Sequence, residues 1–130
     1  MASELRVNTL KDASGNNSVA TSTVAQGSAK AWVNLNMASG DGVINDSFNC
    51  SINTDLGTGR FTLSITSAMV NSDYAVTASA MDPTEASTGS NRTADGTPTS
   101  ASVMYIRACA YDNTANDVPA AAGVAHGDLA

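Results

Sequence analysis

The 130-residue chain predicts an all-β fold, an antiparallel β-sandwich preceded by an extended N-terminal arm. Three observations predict it. Ser, Thr, Asn and Gly supply 52 residues, the types that suit strands and the turns between them. Charged residues are only 14%, so the Glu, Lys and Arg that hold helical bundles and coiled coils are scarce. Short runs alternating apolar and polar residues recur between breaks rich in Gly, Asn and Ser, the period of half-buried strands. The core is thin: 42% of residues count as hydrophobic, but 22 of them are Ala, leaving 33 larger side chains. This length supports one domain with one modest core.

Residues 1–28 read as an arm. They hold one alternating run at 5–10, then a stretch of Ala, Ser, Asn, Thr and Gly too small to bury enough surface to fold alone. Such a stretch stays mobile or lies against another subunit. Residues 29–130 read as the sandwich. At 31–37, Val33, Leu35 and Met37 share one face and Trp32, Asn34 and Asn36 the other. Turn chemistry at 39–42 leads to a second strand over 43–52 carrying Ile44, Phe48, Cys50 and Ile52, with a bulge or bend where the alternation breaks at Asp46. Leu56, Gly57, Thr58 and Gly59 predict a tight hairpin into the clearest strand, 60–66, with Phe61, Leu63 and Ile65 inward. A turn at 70–73 precedes a fourth core strand in which Tyr74, Val76, Ala78 and Ala80 share a face.

Residues 82–100, with Pro83, Gly89, Gly96 and Pro98 and almost no bulk, predict one long exposed loop and the most promising recognition surface. Thr88, Asn91, Arg92 and Asp95 are its candidate contact residues. The strand over 102–111 is largely apolar on both faces and is expected to be central or covered on both sides, with Arg107 needing a carboxylate or carbonyls. A polar loop at 112–119 adds Asn113 and Asn116 to the recognition candidates, and a small-residue strand over 121–128 closes the fold. Five or six such strands make the sandwich.

The formal net charge of -6 and the lack of any basic run argue against nucleic acid. No stretch approaches the apolar length of a membrane helix, and the opening residues lack the pattern of a secretion signal, so no membrane insertion and a reducing compartment are expected. Cys50 and Cys109 accordingly read as buried thiols. His126 is the only histidine and no nucleophile motif accompanies it, so neither a multi-histidine zinc site nor a catalytic histidine is expected. Asp41, Asp46, Asp55 and Asp73 lie at turns, where aspartate bonds its own backbone; a glycosidase pair is the alternative. Residues 112–117 lack the calcium-loop pattern. The glycosylation patterns at Asn16, Asn45, Asn49 and Asn91 are what an Asn- and Ser-rich chain yields by chance. Trp32 reads as a packing or subunit-contact residue, with sugar stacking as the alternative. No catalytic residue, metal or cofactor is expected, and the chain does not read as an enzyme.

Several runs carry a resemblance: Ser3 through Leu10, then Gly27 through Asn34 with its Lys30-Ala31-Trp32-Val33-Asn34 core, Asp46 through Asn49, Thr54 through Phe61, Ser67-Ala68-Met69 leading to Tyr74-Ala75-Val76, and Gly123 through Leu129. Together they resemble tail-fibre and virion surface proteins of tailed bacteriophages, in which an opening of the Ser-Glu-x-Arg-Val-Asn type precedes a Lys-Ala-Trp-Val-Asn strand. The resemblance spans almost the whole chain and implies a homotrimeric β module on the virion exterior. A trimer would supply the burial that the thin core, the arm and the two-sided strand lack. Leu5, Val7, Leu10, Trp32, Tyr105 and Arg107 are the candidate subunit or capsid contacts. A chain opening at Met with only an arm before the domain favours a capsid cement or decoration protein on the outer capsid surface over a tail-fibre or receptor-binding tip. The expected partners are its own copies, the major capsid protein or tail proteins, and a host-surface glycan or protein.

Overall fold

The computed structural model describes residues 6–39, 41–81 and 92–130. Among them the chain begins with a small antiparallel ribbon of β1 (Thr9–Leu10) and β2 (Val19–Ala20), followed by a short helix, α1 (Thr21–Gly27). Eight longer strands follow: β3 (Ala31–Asn36), β4 (Val43–Phe48), β5 (Cys50–Asp55), β6 (Arg60–Ile65), β7 (Ala75–Met81), β8 (Arg92–Ser100), β9 (Val103–Ala110) and β10 (Ala120–His126). They form two four-stranded antiparallel sheets, ordered β4-β3-β10-β7 and β5-β6-β9-β8. The all-β, antiparallel expectation holds.

Alternation explains the core. Val33 and Leu35 on β3, Phe61 and Leu63 on β6, and Met104 and Ile106 on β9 all point inward and join one buried cluster fed by both sheets. Each contributes about 1.5–3 kcal/mol by leaving water. Met37, Met69, Tyr74 and Val118 close the cluster from the connections, and the Tyr74 hydroxyl donates to the Val103 carbonyl at 2.8 Å. The predicted faces of residues 31–37, 60–66 and 74–81 agree with this burial, and β9 is central in its sheet, with one face in the core and the other carrying Tyr105 and Arg107. The Leu56 to Gly59 hairpin forms as expected, with Gly57 and Gly59 at φ 90 and 66.

Three expectations are corrected. The predicted strand over 43–52 is two strands in different sheets, because Asn49 adopts a left-handed φ of 54 and turns the chain from one sheet to the other. Its side-chain Nδ2 donates to the carbonyls of Lys30 and Ser67, and its side-chain Oδ1 accepts from the Ser67 amide, which fixes the corner. The expected irregularity near Asp46 is present: Asn34 pairs with Asp46 but Leu35 with Ile44, so Asn45 is the extra residue. That residue shifts the frame by one. Ile44 faces the core, while Phe48 lands opposite Trp32 on the outer face, 54% exposed rather than buried.

The third correction concerns the predicted loop over 82–100. Arg92 through Ser100 form β8, paired along its length with β9, so Arg92 and Asp95 stand on a strand and not on a loop. This strand carries no bulk because there is no room for it. Ala94, Gly96 and Pro98 face inward where β8 meets β7 across the narrow side of the molecule, and a Cβ on Gly96 would lie 2.6 Å from Val76 Cγ1 and 3.2 Å from Ala78 Cβ. Pro98 is tolerated because β8 is an edge strand.

Register gives the molecule two distinct ends. The amide of Lys30 bonds the Ala125 carbonyl, so the N-terminal segment joins at the end where β10 finishes and where residues 66–74 and 126–130 lie. Residues 37–39, 41–42, 56–59 and 111–119, together with Met81 and Arg92, lie at the opposite end.

Candidate interaction surfaces

The outer face of the β4-β3-β10-β7 sheet is built from small and apolar side chains. Register places Phe48, Trp32, Val124 and Thr77 in one row across all four strands. Two residues along, Asn34, Ala122 and Ser79 form the next row, and Val43, Asn36, Ala120 and Met81 the one after. Val43 is 46% exposed and Met81 55%. Because Ala120 and Ala122 end at a methyl group, the middle of this face is a shallow depression of about 380 Å³, edged by Asn34, Ser79 and Met81. Asp46 is the one charged residue in the paired part of this face. Exposed Phe48, Val43 and Met81 on this mixed face make it a candidate contact surface.

The N-terminal segment is ordered by polar bonds and buries nothing. Asp12 accepts from the amides of Ser14 and Asn16 and from the Asn17 side chain, closing the turn between β1 and β2. The Thr21 hydroxyl donates to the carbonyls of Val7 and Asn8. α1 has no buried residue, and Val7, Leu10 and Val24 stay 39%, 43% and 45% exposed. Leu5 lies outside the described residues, as do Thr88 and Asn91.

The outer face of the second sheet is polar. Arg60, Arg107 and Asp95 stand in one row across β6, β9 and β8, and Thr54, Thr62, Tyr105 and Thr97 in the next. Arg107 finds the partners its position required: its Nη2 donates to the Asn113 carbonyl at 2.7 Å, and its Nη1 lies 4.0 Å from Asp95. The structure thus joins one contact candidate, Arg107, to two recognition candidates, Asp95 and Asn113. Trp32 lies on the opposite sheet and Val7 and Leu10 on the N-terminal segment. Asn116 is held by its backbone, its amide bonding the Ala108 carbonyl beside Gly59. No protein-family model, curated protein or solved structure matches this chain.

Several acidic side chains bond nearby backbone amides, but Asp46, expected at a turn, stands within β4 opposite Asn34. Asp55 accepts from the Gly57 amide, Asp46 from that of Ser47, Asp117 from that of Gly59, and Asp112 from that of Thr114, which holds the Asp112 carboxyl below the usual carboxylate range. Among the described residues no three His, Cys, Asp or Glu side chains converge on a common point, and no helix is long and apolar enough to cross a membrane. His126 ends β10 and lines a cleft of about 310 Å³ with Gln26, Asp73, Tyr74 and Asp128, at the end where the N-terminal segment joins. Cys50 and Cys109 are free and buried, as expected, and burial pushes the Cys50 thiol up to about 11. Burial, with Cys50 nearby, also raises the Tyr74 phenol.

Two features escaped the sequence. Alternation with Phe61 put Arg60 on the outer face, but only the register of β6 against β9 sets it beside Arg107. Phe48 could be placed outside only by knowing that Asn45 is the extra residue.

Proposed function

We propose that this chain is a structural protein of a bacteriophage virion, a capsid cement or decoration protein that sits on the outer capsid surface and reinforces it. The observation that supports this most is the exposed N-terminal segment at one end of the molecule: Val7, Leu10 and Val24 bury nothing within their own chain and are available to a neighbour. The resemblance of the Lys30 to Asn34 run and its companions to virion surface proteins supplies the setting. In this reading residues 1–28 are an attachment arm and residues 29–130 a β-sandwich, its layers being the two sheets.

Three copies associate through the Trp32, Phe48 and Val124 row, removing from water the apolar face that a single copy leaves wet. The arm engages the major capsid protein, and the opposite end meets a host-surface glycan or protein. The role is structural, without catalysis, cofactor, nucleic acid or membrane. Gathering of the connections at the end far from the arm also favours a second reading, a tail-fibre or receptor-binding tip whose arm engages tail proteins.

Copy number per particle, measured by quantitative mass spectrometry or image reconstruction, separates them. Hundreds of copies support cement, and a few to a few tens support a tail appendage. Absence from purified particles overturns both. A cement also raises the rupture temperature of the particles that carry it, and an unchanged temperature removes that role.

A further inference from the structure

We propose that the loop end of the β5-β6-β9-β8 sheet carries a binding site for an acidic glycan, in which Arg60 and Arg107 hold a sugar carboxylate and the Tyr105 ring lies against a sugar face. The chain has only six Lys and Arg against twelve Asp and Glu, yet two of the six stand directly opposite each other on neighbouring strands. Their side chains share the outer face, because the adjoining pair, Phe61 and Ile106, is buried. Like charges directly opposed across a sheet are destabilising unless something lies between or beside them.

The chain supplies only part of that compensation. Asp95 stands on the far side of Arg107 at 4.0 Å, its side chain 70% exposed, a loose contact rather than a fork-to-fork pair. The Asn113 carbonyl pins the Arg107 guanidinium at the loop end, and Asn113 itself is held at a φ of 65. Arg60 is exposed and its side chain has no partner among the described residues; its Nη2 leans toward Gly57, so it too reaches the loop end. A carboxylate offers the planar, two-oxygen partner that guanidinium geometry selects.

The neighbouring row makes the ligand a sugar. Tyr105 is half-buried between Thr62 and Thr97, with Thr54 beyond, so a flat ring is edged by threonine side chains on the outer face of the sheet. Aromatic ring, hydroxyls and paired cations suit the face, rim and carboxylate of a uronic acid residue. The net charge of -6 opposes long-range attraction, so contact with one copy is weak and several copies together give useful avidity.

The site deepens the proposed host-surface contact and rests on that reading for where the glycan comes from. The test uses the full chain, with backbone amide NMR shifts followed during titration with trigalacturonic acid, neutral galactotriose and a keratan sulfate oligosaccharide, which carries sulfate but no uronic acid. The uronate is expected to move the amides of Arg60, Tyr105 and Asn113 and to bind at least tenfold more tightly than the neutral trisaccharide. Arg60→Gln should weaken it at least tenfold, and Tyr105→Ala should weaken it with the Arg60 amide still in its folded position. Tighter binding of the sulfated oligosaccharide than of the uronate, silence toward both acidic sugars, or binding unchanged in Arg60→Gln overturns the assignment. A chain that binds uronate but is absent from particles overturns the virion reading alone; a particle-bound chain that ignores it overturns this site alone.

Discussion

Gly59 stands where three backbone segments meet, and replacing it by alanine tests that packing directly. A Cβ there would lie 2.6 Å from the Ala108 carbonyl oxygen, 2.6 Å from the Asn116 amide nitrogen and 2.7 Å from the Asn116 carbonyl oxygen. All three are backbone atoms, so no side chain can swing away. The φ of 66 also costs an L-residue about 1–2 kcal/mol. Making room for the methyl group costs about 1–3 kcal/mol more. The shift would strain the Gly59 amide bond to Asp117 at 2.6 Å and the Ala108 amide bond to the Gly59 carbonyl at 2.8 Å, each contributing about 1 kcal/mol. A loss of about 4 kcal/mol is therefore expected, a large share of the roughly 5–15 kcal/mol that holds a domain. For a chain of this size it lowers Tm by about 12–20 °C. Thermal and urea unfolding of Gly59→Ala read this. Gly27→Ala, with no heavy atom within 4 Å of the added methyl, is the control and should leave Tm unchanged or slightly higher. A Gly59→Ala protein melting within about 3 °C of the parent, less than a 1 kcal/mol loss would give, would refute the close approach of β6, β9 and the 111–119 connection.

Phe48→Gln should leave the stability of a single copy within about 0.5 kcal/mol, because the ring faces outward, and should weaken self-association in sedimentation velocity; a parent chain that stays monomeric at high concentration removes the proposed trimer contact. Deleting residues 1–25 should leave Tm unchanged while abolishing attachment to particles or trimer formation, and a truncated chain that still binds particles normally refutes the arm. Stability should fall as pH rises from 9 to 11. The folded chain keeps the Cys50 proton up to about 11, against an ordinary 9.0, so the unfolded chain ionises first and is favoured across that window. Tyr74, also raised, acts in the same direction. Urea midpoints of the parent and of Cys50→Ala across this range should show a shallower decline in the variant; parallel declines would show that Cys50 does not contribute.

The sequence was legible wherever one face of a strand meets the core and the other meets water. Residues 31–37, 60–66 and 74–81 announce themselves by alternation, and Gly57 and Gly59 by the left-handed turn they permit. β8 was illegible because its inward residues were chosen by a neighbour: Gly96 and Ala94 are small so that Val76 and Ala78 of β7 can approach, and small residues without bulk look like a loop. Of the candidate surface, the outward position of Trp32 and the need of Arg107 for partners could be read, but not the outward position of Tyr105 or the identity of those partners.

The chain alone determined its class, its antiparallel strands and its inward faces, because each follows from local alternation and residue size; the burial of Cys109, which shares the parity of the outward Tyr105 and Arg107, comes with the bridge to Ala115. Only the tertiary structure decided which rows those residues form. One extra residue at Asn45 sends Phe48 outward to join Trp32, and the register of β6 on β9 sets Arg60 against Arg107. Both are long-range pairings, and a period-two pattern fixes which face a residue takes without fixing which strand lies beside it.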